Sequence, residues 1–569
     1  MNIRRQVWSW SAVLAVCGAL LSAIPGNAQG QALVIEGGTL IDGTGAAPRQ
    51  NAVIVMEGDR IRAVGTKGQV TYPPNAKVIQ ADGRYILPGL FECHVHYREW
   101  MPQIYLRYGI TTVADTANMT PWIIAQREML KRGIIKGPRM FVTGHRLGGP
   151  LPGQRSGIVP DAINGSYVVN AANVEEARAE VRKLVAAGVD AIKVHDGLTP
   201  EQIKAVVEEA RALGMDTVVG HEYNGRDSAN AGLKYIEHSP PIARATISDP
   251  DLQRQAAPEY HMEERLYDPL VELFLQQGVY INVPLWTSRA FNPPSSTWGW
   301  EQLGPQLASD PGFAFVPKHE RDSWLPEVSG RRNLSSLEME RRIVGMQKVK
   351  AFLKKYAERG GKFVAGSDAG EEDVPGLWTH YEMQALVDAG LTPMQAILAA
   401  TKWPAELFHL EEELGTIQVG RKADAIILTG NPLQNIAETR SILWVVKDGQ
   451  VVDTTLDPNF KNPLPWTANA DERGPGRGPE IATMAPVVAR EGDAEVTLRI
   501  GGQDFAPGAV VRFDRANLDT QFVSDSELIA TIRRQLLQTH GTYGITVVNP
   551  GSGGGTSNVA YFLVDFRYE

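Results

Sequence analysis

The chain has 569 residues, 43% hydrophobic and 21% charged, with 56 Gly, 36 Pro and 2 Cys, a balance that excludes a disordered chain, a collagen-like repeat and a disulfide scaffold. The formal charge is −9 and no long Lys/Arg run occurs, so no nucleic-acid partner is expected. At about 100–200 residues per domain, the length predicts about three domains.

Arg4 and Arg5, the apolar run from Val13 to Ile24, and the small Gly26-Asn27-Ala28 read as a cleaved signal peptide over residues 1–28. A transmembrane anchor is the alternative, but the apolar stretch is short and Pro25 follows it. Cys17 faintly suggests a lipoprotein cleavage box, which Val16 fits poorly. Cleavage leaves Cys93 as the single cysteine, so no internal disulfide is expected in a periplasmic or secreted protein with no stable membrane span.

Residues 32–87 hold short β-type runs broken by turn signals, as in Leu33-Val34-Ile35-Glu36 and Val53-Ile54-Val55-Met56. Similar text returns within 412–462, in Ala425-Ile426-Ile427-Leu428 and Ile442-Leu443-Trp444-Val445. One composite β-sandwich, built from both flanks of an inserted domain, explains both. Between them, over 88–411, apolar strands alternate with helical patterns. Thr199-Pro200 opens a helix with Ile203, Val206, Val207, Ala210 and Leu213 at helical spacing, closed by Gly214. Such alternation predicts an α/β fold, a (β/α)8 TIM-like barrel. Trp286 to Asn333 interrupts it with a stretch carrying Trp286, Trp298, Trp300 and Trp324, expected to act as a lid or pocket wall. Residues 463–479 read as a linker, and 480–569, with alternating strands and no long helix, as a C-terminal all-β sandwich.

Candidate chemistry gathers at strand ends. His94-Val95-His96 follows an apolar strand, where alternate side chains share a face and can meet one ion. Lys193 interrupts an apolar strand, where an unpaired ammonium would be costly. His221 ends the strand Thr217-Val218-Val219-Gly220, His238 follows Tyr235-Ile236-Glu237, and Asp368 closes Phe363-Val364-Ala365-Gly366-Ser367. In a barrel all these ends open on one face. Taken singly, each has a bland reading as core histidine, snorkelling lysine or helix-capping aspartate.

The pattern resembles the amidohydrolase superfamily, in particular its imidazolonepropionase-like and prolidase-like branch. The resemblance covers about residues 32–460 and includes Leu87-Pro88-Gly89-Leu90, Ile236-Glu237-His238-Ser239, Gly415-Thr416-Ile417, Gly420-Arg421-Lys422-Ala423-Asp424, and Trp444 with Lys447-Asp448-Gly449. It implies two divalent metal ions, usually Zn2+. His94 and His96 would hold the more buried ion, and His221 and His238 the other. Lys193 would bridge them as an N6-carboxylated lysine. Asp368 would ligate the first ion and shuttle the proton in amide hydrolysis of a small-molecule or dipeptide-like substrate. The C-terminal block, with Gly502-Gln503-Asp504-Phe505, Gly541-Thr542-Tyr543 and Val548-Asn549-Pro550, resembles an IPT/TIG immunoglobulin-like domain, a module for surface, carbohydrate or protein contact.

Further candidates are Arg98 as a clamp for a substrate carboxylate, Tyr223 as donor to a developing oxyanion, and His145 as a pocket-lining residue. His195 shares a strand face with Lys193. His319 and His380 lack comparable context. Alternatives stay open: a lactonase, esterase or organophosphate hydrolase on the same site, a mononuclear deaminase, or a non-catalytic surface-binding protein acting through 480–569. Assembly into a homo-oligomer is also open.

Overall fold

The computed structural model describes residues 31–569 except 152–155, 161–166, 221–222, 256, 287–308, 318–334, 370–373, 458, 464–478, 487, 515, 540, 551–554, 558–559 and 566–569. The expected signal peptide, most of the linker, and Trp298, Trp300, His319 and Trp324 lie outside the described residues. No described helix is long and apolar enough to cross a membrane.

Eight strands follow one another around a TIM-barrel-type α/β core: β1 (Leu90–Val95), β2 (Ile110–Asp115), β3 (Arg139–Val142), β4 (Ile192–Val194), β5 (Val218–Gly220), β6 (Tyr235–Glu237), β7 (Tyr280–Asn282) and β8 (Lys362–Phe363). Neighbours from β1 to β3 and from β4 to β8 pair in parallel. After Val142 the third strand resumes as Arg146–Gly148, which pairs in parallel with β4 through Leu147 and Val194. The ring closes where the chain beyond β8 meets β1: Cys93 N donates to Ala365 O, His96 N to Ala369 O, and Ala369 N to His94 O. Every residue of β1 and β2 is buried, as a strand covered on both faces requires.

Helices form the outer layer for local reasons. Asn173 caps α1 (Val174–Ala187) by accepting from Glu176 N, and Ala177, Val181 and Leu184 bury one face. Thr199 and Gln202 form a capping box for α2 (Pro200–Ala212), which buries Ile203, Val206, Val207 and Ala210. Leu213, expected on that face, is instead 43% exposed, because it is the C-cap, one residue beyond the end of the helix. Two further helices, α3 (Ser336–Glu358) and α4 (Leu377–Asp388), flank β8 in sequence.

Beside the barrel, strands Arg60–Thr66, Ala52–Glu57, Leu33–Glu36 and Lys77–Gln80 form one sheet. A second contains Thr39–Leu40, Tyr85–Pro88, Ala425–Leu428, Ile442–Lys447 and Gln450–Val451, so both flanks of the barrel contribute to it. Ile35, Ile54, Ile86, Ile427 and Val446 share their common core. Arg139 ties this unit to β3, with Nη1 2.9 Å from Asp424 Oδ2 and Nη2 2.6 Å from Asp448 Oδ1. Residues 480–565 form a four-stranded and a five-stranded sheet around Leu498, Ile500, Leu528, Ile545 and Phe562.

His380 of α4 shows a buried polar joint in this frame. Its ring lies 3.0 Å from Thr439 Oγ1 and 2.9 Å from the Tyr108 carbonyl, and burial pushes its pKa down to about 4. The fold therefore holds the neutral ring, and its contribution is complete above the unfolded value of 6.5 and lost as pH falls towards about 4. Gln can keep both hydrogen bonds without titrating. His380→Gln is expected to reduce the acid-induced loss of stability across that window by about 3 kcal/mol. Parallel wild-type and variant profiles of Tm against pH would refute this.

Candidate active site

His94 and His96 project from the end of β1 on the same side, with ring centroids 5.5 Å apart, and the His238 ring lies 5.1 Å from His94. Asp368 faces all three. Its Oδ1 is 3.2 Å from His94 Nε2 and 3.1 Å from His96 Nε2, and its Oδ2 is 3.9 Å from His238 Nε2. His238 follows β6 and Asp368 follows β8, and both adopt left-handed backbone, with φ of 63° in each case. That conformation is uncommon for residues other than Gly and costs roughly 1–3 kcal/mol. It occurs here where the chain leaves the strand and the side chain enters the cluster. One donor atom from each of His94, His238 and Asp368 fits within a mutual span of 4.8 Å, a spacing compatible with one metal ion.

The hydrogen bonds behind His94 identify what its front nitrogen can do. Asn282, the last residue of β7, donates through Nδ2 to the carbonyls of Val364 and Gly366, at 3.1 and 3.0 Å. Its Oδ1 must then accept, which places the proton of His94 on Nδ1, 2.9 Å away. Burial holds the His94 imidazole well below its ordinary pKa, so the ring is neutral. Burial also raises the Asp368 carboxyl, but its interactions with His94, His96 and His238 outweigh burial and hold it well below the usual carboxylate range. A lone pair on His94 Nε2 thus faces a carboxylate oxygen at 3.2 Å. Two acceptors at that distance are stabilised by a cation between them. The residues present therefore fit a divalent ion.

Glu92 braces the same assembly. Fully buried, it accepts from His94 N, Ser367 N and Thr379 Oγ1, tying β1 to the segment that carries Asp368. Burial pushes its carboxyl up to about 7.

Lys193 and Glu237 point into the barrel from β4 and β6, both essentially inaccessible, and form a close ion pair. Glu237 supplies the compensation that an ammonium in this strand needs. Its Oε1 also lies 3.7 Å from His94 Nδ1. His221 lies outside the described residues.

The remaining sequence candidates fall further out. Tyr223 is 41% exposed, with the Arg244 guanidinium 4.4 Å from its ring centroid. His145 is buried between the Thr120 hydroxyl, at 2.7 Å, and Oε1 of Glu180 on α1, at 3.0 Å. Arg98 is buried, and its Nη1 donates to the carbonyls of Tyr97 (3.2 Å) and His96 (3.4 Å) of its own loop. Trp286 stacks on Tyr381 with centroids 4.4 Å apart, and its backbone N–H donates to Glu382. Glu92, Arg146, Glu237 and Asn282 were absent from the sequence candidates. Asn282 and Glu237 carried the same signal as the others, a polar residue closing an apolar strand. Glu92 and Arg146 gave only their nearness to candidate histidines.

Residues 333–452, which include Asp368, match the amidohydrolase family. A 65-residue stretch is 38% identical to a 5-methylthioadenosine/S-adenosylhomocysteine deaminase of Symbiobacterium thermophilum, covering 11% of this chain and 15% of the relative. Another, of 64 residues, is 41% identical to an N-acyl-D-glutamate deacylase of Alcaligenes xylosoxydans xylosoxydans, covering 11% and 12%. The matched stretches thus span less than a sixth of these curated relatives. A solved Xaa-Pro dipeptidase with methionine bound in its active site is similar over 74% of this chain and 100% of its own, with a TM-score of 0.55 and 23% identity. Residues 333–452 thus match the amidohydrolase family model, and the chain shares the fold of the solved Xaa-Pro dipeptidase.

Proposed function

We propose that the protein is an exported metal-dependent hydrolase that cleaves the amide bond of a dipeptide or N-acyl amino acid. The observation that carries this reading is the His94 Nε2 lone pair opposite the Asp368 carboxylate, with Nδ1 committed to Asn282. His94, His96 and Asp368 would hold the first ion. His238 with His221, bridged by N6-carboxylated Lys193, would hold a second. Divalent ions such as Zn2+ supply Lewis acidity that makes water nucleophilic near neutral pH and polarises a carbonyl.

The protein's own groups do the rest. Asp368 Oδ2, the oxygen not held between His94 and His96, takes the proton of the attacking water and returns it to the leaving nitrogen. Asn282 and Glu92 fix the His94 ring and its backbone, so the reacting geometry exists before substrate arrives. Tyr223 stands at the exposed rim as a donor to substrate. Arg98 and His145 shape the walls through the contacts they already make. The Xaa-Pro dipeptidase and the deacylase above are named for C–N bond cleavage, which supports an amide substrate over an ester. Residues 1–28 would direct export to the periplasm or beyond, and the C-terminal two-sheet unit would serve as an IPT/TIG-like contact module.

The test is a screen of purified, Zn2+-loaded protein against Xaa-Pro dipeptides, N-acyl amino acids, lactones and aryl esters, with metal content read by mass spectrometry. Close to two ions per chain are expected, with amide turnover abolished by a chelator and restored by Zn2+. Turnover indifferent to chelation, or confined to esters and lactones, would overturn the reading.

A further inference from the structure

Residues 97–107 continue the strand that carries His94 and His96, first as a loop to Met101 and then as the short helix Pro102–Arg107. The C-terminal two-sheet unit bears on this stretch from two directions. On one side, the chain that leaves the composite sandwich after Val451 runs back along it: Arg107 Nη1 donates to Thr454 O at 3.4 Å, and Asp457 N to Gln103 Oε1 at 2.7 Å. Val452, Leu456 and Phe460 pack there against the core that holds Tyr97, Trp100 and Tyr105. Beyond Phe460, Lys461 Nζ donates at 2.9 Å to the carbonyl of Met484, in the first strand of the C-terminal unit. On the other side, the short helix Pro311–Phe315 touches both the helix Pro102–Arg107 and the strand Gly541–Val548 of the C-terminal unit, and Tyr108 Oη donates to Asp310 at its start.

Asn462 closes the first of these routes. Its Nδ2 donates to the carbonyl of Glu99 at 3.1 Å and to Gln126 Oε1 at 2.9 Å, and its Oδ1 accepts from Gln126 Nε2 at 3.1 Å. Gln126 is fully buried on the helix that follows β2, where an amide without partners would be costly. Both hydrogens of the Asn462 amide are thus committed, and the Glu99 carbonyl, which can only accept, fixes which end of that amide faces the loop. Glu99 lies three residues beyond His96. The His96 backbone is secured separately, its N–H donating to Ala369 O at 2.6 Å. What Asn462 fixes is therefore the wall beside the histidine cluster, from Arg98 to Met101, rather than the cluster itself.

We infer that Asn462 is a positioning residue through which the C-terminal unit holds the loop Tyr97–Met101 in the shape that receives substrate, so that the unit's partner is the barrel of its own chain. The inference rests on the amide-hydrolase reading only for the turnover part of its test. That test is hydrogen–deuterium exchange read by mass spectrometry on full-length, Zn2+-loaded wild type, Asn462→Asp, Lys461→Met and Asn459→Asp, together with turnover of N-acetyl-L-leucine. Asn462→Asp puts an oxygen where the donor to Glu99 O stood. Residues 97–107 and 480–485 are both expected to exchange about tenfold faster in it, the effect of one lost buried hydrogen bond. Lys461→Met removes the tie to Met484 and should loosen the same two segments by a smaller factor, about twofold. Asn459→Asp places the same charge at an exposed position of the same stretch and should change neither segment. In turnover, Asn462→Asp should raise KM about tenfold with kcat within about twofold, whereas lost stability alone would lower kcat and leave KM in place. Unchanged exchange in 97–107, loosening of that segment without 480–485, an equal effect of Asn459→Asp, or a fall in kcat at unchanged KM overturns the inference. If wild type does not hydrolyse the probe, the amide-hydrolase reading is the one that fails, while exchange still decides the role of Asn462. Should Asn462→Asp not fold, exchange in Lys461→Met decides it.

Discussion

Asp368→Asn is expected to lower kcat by about a thousandfold, within the usual range for losing a positioned acid–base group, while leaving most of the bound metal in place. The amide keeps the shape of the side chain, and Asn tolerates the left-handed backbone that Asp368 adopts at φ 63°. What disappears is the carboxylate that would exchange a proton with water and leaving group. Stability in the absence of metal should move the other way. In wild type Oδ1 faces the lone pair of His94 Nε2 at 3.2 Å, whereas an Asn nitrogen in that place can donate to it. The metal-free variant is therefore expected to be more stable than metal-free wild type by about 1 kcal/mol, the worth of one net hydrogen bond. Its gain in Tm on adding Zn2+ should be smaller. Turnover and the two melting curves check this together. An active variant removes Asp368 from proton transfer, and a metal-free variant less stable than wild type removes the lone-pair conflict from the site.

That conflict also marks where reading the sequence stops. Strand–helix alternation, the Thr199-Pro200 helix start and the polar closures of apolar strands are local patterns, so the barrel and the residues His94, His96, Lys193, His238 and Asp368 were legible. Ala425–Leu428 was legible as a strand for the same reason, but its pairing with Tyr85–Pro88 was not. The partners were not legible. Asn282 matters because its amide is turned by two carbonyls from the chain after β8, more than 80 residues away. Glu237 matters because Lys193 reaches it from β4, on the far side of the intervening strand β5, at 44 residues' separation. His145 and Arg146 differ by one position, and only the direction in which the resumed third strand turns its side chains decides that His145 meets Glu180 while Arg146 meets His96. Leu213 failed for a similar reason, because helical spacing continues in the sequence beyond the point where the helix ends.

The Lys193–Glu237 pair supports the second large prediction, on stability and metal content together. Both side chains are almost wholly inaccessible, so deleting one partner leaves a charge in a medium that solvates it poorly. Lys193→Met and Glu237→Gln are each expected to cost about 3–5 kcal/mol in the metal-free protein, and the double variant much less than their sum. Additive losses in a double-mutant cycle of unfolding would show that the pair is not coupled. With metal present the two residues compete. A single amine cannot be the ammonium that Glu237 holds and also the carbamate that bridges two ions, so carboxylation of Lys193 requires Glu237 to release it. Lys193→Ala should then retain one ion, lose at least about a hundredfold in turnover as expected for a missing catalytic metal bridge, and recover partly with added short-chain carboxylic acids. Glu237→Gln weakens the grip on the ammonium and should load its second ion at lower bicarbonate than wild type, read by metal analysis and by carbon-13 NMR of labelled bicarbonate. Two ions per chain in Lys193→Ala, or a carbon-13 spectrum without a carbamate signal in fully loaded wild type, would exclude Lys193 as the bridge and leave its pairing with Glu237 as its role in the barrel.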